Sequence, residues 1–300
     1  MEVVHLAGVL LAVLAAGLLA TQNIAVRLAT DGTGVSRAVL IVMAINLGVI
    51  GPAAAIVHFP SYGLSWRAAG AFATAGVVGL VLGRVCMYGA IKSIGASRTT
   101  PLVSASTFVT ALLAIWLLGE SVTVPHGIGI VLIVFGIAAI AWSTAADAGR
   151  EASWRDVGAS LVLPLGAAFF IGVEPIFVRV GLDDGTPVLV GLAVMMAAAL
   201  ASYLAYLRIR GGGLAGIAAT PNLRWCLVAG VTSTFGLLSY FAALRAAPVV
   251  VAIPLIHTAP LIVIALSVAD LPQRLERVTL PLVVGAAVVV AGAILVSVSG

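Results

Sequence analysis

Polar residues punctuate the chain at near-regular intervals, and the runs between them are apolar on every side. Ten such runs stand out, near 4–28, 37–57, 68–91, 98–118, 126–145, 156–180, 187–207, 225–245, 248–268 and 278–298. Each approaches the roughly 20 residues that a helix needs to cross bilayer hydrocarbon. None alternates apolar and polar at every second position, as a barrel strand does. Lipid cannot hydrogen-bond an open strand edge, so helix is the conformation left. The pattern predicts an all-α integral membrane protein with ten transmembrane helices, spans 1 to 10. An even count returns both termini to one side. Residues 3–20 also fit a signal peptide's apolar core, but the M-E-V-V-H ahead of them carries no Lys or Arg. An internal repeat makes this run a permanent helix.

The longest polar stretch, A-D-A-G-R-E-A-S-W-R-D at 146–156, falls near the midpoint. The two sides of it match. A-V-R-L at 25–28 answers F-V-R-V at 177–180, and Asp31 answers Asp183, at an offset of 152. Y-G-A-I-K at 88–92 answers F-A-A-L-R at 241–245, and Pro101-Leu102 answers Pro254-Leu255, at 153. Beyond an insertion near Leu271–Gln273 the offset is 156: Glu120, Thr123, Pro125, Gly129 and Gly136 answer Glu276, Thr279, Pro281, Gly285 and Gly292. The expected organisation is one five-helix repeat over 1–145, a polar linker over 146–155 and a second repeat over 156–300. An odd number of spans per repeat sends the second in from the opposite side. Two inverted five-helix repeats are an architecture of secondary transporters, whose solute site lies near the midplane between the halves.

Composition narrows the partners. The chain is 62% hydrophobic and 9% charged, with mean hydropathy +1.22. A soluble domain carries about a quarter charged residues, so most of this surface faces lipid. The net charge of +4 is spread singly between apolar runs, which argues against nucleic acid as a partner. Cys86 and Cys226 give neither a disulfide framework nor metal-ligand spacing. No Walker loop, zinc signature or nucleophile elbow occurs, so no enzyme, cofactor or metal is expected.

Polar groups inside spans are costly and usually face protein or a wet cavity. Arg84, in span 3, reads either as a cation for a substrate carboxylate or phosphate or as a structural partner of Glu174. Tyr88 follows one turn later on the same face. Glu174, in span 6, is the repeat mate of Gln22 in span 1. It reads either as a proton-coupling group or as a permanent partner of Arg84 or Arg179. Pro175 beside it frees a backbone carbonyl. His257 lies between Pro254 and Pro260 in span 9, opposite Ser104 of span 4 in the repeat. It reads either as a second proton-coupling or binding group or as a neutral histidine bonded to a freed carbonyl. Hydroxyls cluster in span 4 (Thr99, Thr100, Ser104, Ser106, Thr107) and span 8 (Ser233, Thr234, Ser239, Tyr240). Glu120 and Glu276 precede Thr-x-Pro at helix starts and read as caps. Gly129, Gly136, Gly285 and Gly292 let spans 5 and 10 pack on each other.

The motifs T-Q-N-I-A-V-R-L-A, Y-G-A-I-K-S-I-G-A-S-R-T-T-P-L and L-L-G-E-S-V-T-V-P-H-G-I-G-I-V-L-I-V-F-G resemble those of the EamA-type, ten-helix drug/metabolite transporters, over nearly the whole chain. Two positions depart from that pattern: Gln22-Asn23 stand in place of a Trp-Gly-type pair, and Leu275-Glu276 in place of Gly-Glu. The resemblance implies a central cavity surrounded by spans 3, 4, 8 and 9. The expected substrate-binding set is Gln22, Asn23, Arg84, Tyr88, Thr100, Ser104, Thr107, Ser239, Tyr240 and His257, with Glu174 and His257 for proton coupling. The expected function is alternating-access export of small polar metabolites, amino acids or related organic ions. The alternatives are a multidrug or cation exporter and a lipid-carrier flippase-like component. Expected partners are a small-molecule substrate, the bilayer and protons, for a monomer or weak dimer in the plasma (inner) membrane. Orientation stays open. Lys and Arg number 11 on the side of the 1–2 connection against 3 opposite, which puts the termini outside, whereas the resemblance implies termini in the cytoplasm.

Overall fold

The computed structural model describes residues 2–30, 33–94, 96, 99, 103, 106–118, 123–146, 154–209, 221–256, 258–270 and 280–298. Regular structure among them is helical throughout. Span 1 is Glu2–Thr30 and span 2 is Val35–Val57. Span 3 is composite: Trp66–Ala75, a π-helical stretch Gly76–Gly83, then Arg84–Ile94. The described helix of span 4 is Ser106–Leu118. Spans 5 to 8 are Val124–Ala146, Trp154–Asp183, Val188–Ile209 and Leu223–Ala246. Span 9 is two helices, Val249–Ile256 and Ala259–Asp270, and span 10 is Leu280–Val298. Among the described residues six helices are long and apolar enough to cross a membrane. Large apolar side chains line the outside, with Trp66 95% and Trp116 82% exposed. A surface of that kind needs lipid against it.

Helix pairing follows the repeat. Span 1 packs on span 8, and its repeat mate, span 6, packs on span 3. Span 1 also packs on span 9, and span 6 on span 4. Spans 2 and 7 meet each other, as do spans 5 and 10. Exchanging each span for its mate leaves this set of pairings unchanged, the mark of a pseudo-two-fold axis. The helices divide into a bundle of spans 1, 2, 8 and 9 and a bundle of spans 3, 4, 6 and 7. Each bundle therefore draws two spans from each repeat.

Small residues set how closely the helices approach, because lipid leaves packing and hydrogen bonds to hold them together. At spans 5 and 10 a Cβ on Gly136 would lie 2.8 Å from the Gly285 carbonyl oxygen, and one on Gly292 2.7 Å from that of Gly129. The close pairing expected from the glycine spacing is present. Gly136→Leu should therefore cost about 1–3 kcal/mol of overpacking and lower the melting temperature in detergent. Gly48→Ala, which meets nothing within 4 Å, should not. A Gly136→Leu protein that melts like wild type would show that the pair tolerates separation.

Candidate functional site

A cavity of about 130 Å³ lies between the two bundles. Span 1 contributes Leu19, Gln22 and Asn23, and span 3 contributes Gly79, Leu80, Arg84 and Met87. Ile171, Glu174 and Pro175 come from span 6, and Leu237 and Tyr240 from span 8. Val103, Ile253, Ile256 and Ala259 close the remaining side. Gln22, Asn23, Arg84 and Glu174 are all buried. Spans 1 and 6 thus join spans 3, 4, 8 and 9 in surrounding the cavity.

The four polar positions have different supports. Gln22 donates from Nε2 to the Tyr88 hydroxyl at 2.8 Å, and its Oε1 is buried without a partner. Tyr88 is fully buried behind Gln22 and does not reach the lining. On the other side Tyr240 of span 8 and Glu174 of span 6 both line the cavity. The residue types correspond in the two repeats, Gln22 and Tyr88 in one and Glu174 and Tyr240 in the other, both at an offset of 152. By sequence alone Tyr88 aligns with Phe241, one residue away. Span 3 carries a π stretch and span 8 is α-helical over its described length. A π turn adds a residue to the helix and rotates the side chains beyond it, so identity and facing direction need not keep the same register.

Three glycines seat that stretch. A Cβ on Gly76 would overlap the Met195 carbonyl oxygen, one on Gly79 the Glu174 carboxylate, and one on Gly83 would lie 2.8 Å from the Ile171 side chain. Arg84 is the next residue. Its Nη2 donates to Ser233 Oγ at 2.9 Å. Asn46 of span 2 completes the cluster and is fully buried. The Thr234 hydroxyl spends its one hydrogen on the Gly230 carbonyl at 2.9 Å, so towards Asn46 it can only accept. That fixes the amide: Nδ2 donates to Thr234 Oγ1 at 3.0 Å, and Oδ1 accepts from Ser233 Oγ at 3.1 Å and from Arg84 Nη1 at 3.2 Å. The guanidinium fork is held by two neutral acceptors, and no carboxylate is in ion-pair contact with it among the described residues. Arg84→Lys cannot serve both. It should lose about 1.5–3 kcal/mol of hydrogen bonding to a charged group, read as a lower melting temperature in detergent.

Neither structural pairing of Glu174 occurs. Among the described residues the ion pair is Arg179 with Asp183, at 3.0 Å. Arg84 acts on Glu174 only through space, without ion-pair contact. Arg179 Nη1 donates instead to the Leu244 carbonyl at 2.6 Å and the Ala247 carbonyl at 3.3 Å. Arg245 reciprocates by donating to the Leu182 carbonyl. The ends of spans 6 and 8 are clamped together by cations on helix C-termini, where the dipole favours them. The repeat mates Arg27 and Lys92 make no such bond among the described residues.

Ser239 is buried on span 8 outside the lining. Thr100, Ser104, His257, Glu120 and Glu276 lie outside the described residues, as does the side chain of Thr107. Span 9 divides between the prolines, with Pro254 inside the helix that ends at Ile256 and the next helix starting at Ala259. Asn46 is absent from the residues expected at the site, although its sequence carries a signal, a lone amide in the apolar run V-L-I-V-M-A-I-N-L-G-V.

Ten helical spans in two repeats around a buried cavity that holds Gln22, Arg84 and Glu174 define a multi-pass membrane protein of the repeat-built carrier kind. The EamA-like transporter family matches residues 6–142 and again 158–298, and the chain belongs to that family. Its fold is also that of a solved structure titled "Crystal structure of protein", at 18% identity and TM-score 0.72, over 96% of this chain and 95% of the other. No curated protein matches the chain.

Proposed function

We propose that the protein is a proton-coupled secondary carrier that exports small polar metabolites, amino acids or related organic ions, by alternating access. The observation that carries this reading is the placement of Gln22 and Glu174, mates in the repeat, on one buried cavity with Arg84. Both signs of charge are offered within a largely apolar lining, which suits a zwitterion or organic ion with an apolar body. A volume of about 130 Å³ is small beside the roughly 300–1,000 Å³ of sites for drug-sized ligands. That favours metabolites over bulky drugs. Alternating access is supported by the one-sided clamp, which ties the two bundles through spans 6 and 8 while the matching cations of spans 1 and 3 make no such bond among the described residues.

Proteoliposomes test the reading. Radiolabelled amino acids, sugars, nucleosides and cationic drugs are offered with and without a pH gradient. Gradient-stimulated uptake of a small charged or zwitterionic solute is expected. Movement of bulky cations alone would replace this reading with a multidrug exporter, and no movement of any class would end it.

A further inference from the structure

We infer that Gln22 Oε1 and the Glu174 carboxylate together form a subsite for an N–H-bearing cationic group of the solute, a primary ammonium, from which quaternary nitrogen is excluded. The inference rests on the carrier reading above and concerns the same cavity. Gln22 Nε2 is committed to Tyr88 at 2.8 Å, which turns Oε1 away from that tyrosine. Oε1 is buried, lacks a donor, and belongs to a residue that lines the cavity. An unpaired acceptor in such a place costs about 1–3 kcal/mol until something donates to it. Arg84 is held by Ser233 and Asn46, and among the described residues no donor reaches Oε1. A solute that fills the cavity supplies one.

Glu174 supplies the second half. It occupies the mate position on span 6, is buried on the same cavity, and makes no ion-pair contact among the described residues. One donor group that satisfies a neutral acceptor and a carboxylate at once, and neutralises the carboxylate, is an ammonium with at least two N–H bonds. A trimethylammonium carries the charge but has nothing to donate. Quaternary nitrogen is recognised by aromatic faces, and Tyr240 is the one aromatic residue among the described lining.

The test compares n-propylammonium with trimethylpropylammonium. In proteoliposomes, n-propylammonium should inhibit exchange of a carried solute at least about tenfold better than the quaternary ion, the worth of one satisfied acceptor. Gln22→Leu should erase the difference, and Gln22→Glu should restore or enlarge it. Gln22→Leu gives up one hydrogen bond and removes the orphan oxygen, so its melting temperature should stay close to wild type. Equal inhibition by the two ions, or an unchanged ratio in Gln22→Leu, overturns the inference while leaving the carrier reading intact. If no solute is carried, the same two ions are titrated against the melting temperature of the purified protein, because a ligand of the folded state raises it. A shift with the primary ion alone then upholds the subsite without the carrier reading, and no shift, or equal shifts, overturns it.

Discussion

Glu174→Gln should reduce pH-gradient-driven accumulation of the solute to the level reached with no gradient. Solute exchange in the absence of a gradient should continue. The variant is close to isosteric. Gly79, which has no Cβ and leaves room for the carboxylate, leaves the same room for the amide. The fold should therefore survive. What disappears is the proton. A carboxylate that must give up its proton to receive a cationic solute, and recover it when the solute leaves, couples the two flows by competition at one site. Glutamine cannot take part in that exchange. It also gives the solute a weaker partner, so the KM for exchange should rise about tenfold, the usual cost of turning a charged hydrogen bond neutral. Accumulation is read from radiolabelled solute in proteoliposomes under an imposed gradient, and exchange from counterflow at equal pH. If the gradient still drives accumulation in Glu174→Gln but fails to do so in His257→Ala, coupling resides in span 9, and Glu174 serves only to bind.

Much of this arrangement is legible in the sequence because polar residues in apolar runs are conspicuous. Gln22, Arg84 and Glu174 announce themselves by their cost in lipid, and the repeat alone makes Gln22 and Glu174 partners. The distances between spans are another matter. Arg84 could as well have met Glu174, and only packing shows the guanidinium turned to Ser233 and Asn46. Asn46 has Ala198 at the matching position of the second half, so the symmetry that singles out Glu174 draws no attention to it. The π stretch is hidden for a related reason. G-V-V-G-L-V-L-G contains no proline and no polar residue, and its hydrogen-bond register is set by spans 6 and 7 pressing on Gly76 and Gly79. Local propensity does not record that pressure. The one-residue offset between Phe241, which matches Tyr88 within the local motif, and Tyr240, which matches it in residue type, has the same origin.

Removing the clamp should expose the second state. Arg179 and Arg245 tie span 6 to span 8 through the Leu244, Ala247 and Leu182 carbonyls, and so tie one bundle to the other at the end of the membrane where the termini lie. In an inverted repeat the other state is expected to be approximated by exchanging the conformations of the two halves. The mates of the clamp are fixed by sequence: Arg27 for Arg179, Lys92 for Arg245, Thr30 for Leu182, and Ile91 and Ile94 for Leu244 and Ala247. When the first clamp opens, Arg27 should close on the Ile91 and Ile94 carbonyls and Lys92 on that of Thr30, joining spans 1 and 3 at the opposite end. Arg179→Ala with Arg245→Ala discards three charge-assisted hydrogen bonds. Arg245 is exposed and Arg179 partly so, which discounts each one, so the equilibrium should move by about tenfold to a hundredfold toward the exchanged state. Spin labels at Val180 and Ala246 report the clamped end, and labels at their mates Leu28 and Ser93 report the other. In the double variant the first distance should lengthen and the second shorten. Arg27→Ala with Lys92→Ala should do the reverse and sharpen the state seen here. Unchanged distances at both ends in both variants would mean that these cations only cap helices, and that whatever holds the two bundles in register lies beside the cavity itself, where Arg84 of span 3 reaches across to Ser233 and Asn46 of the other bundle.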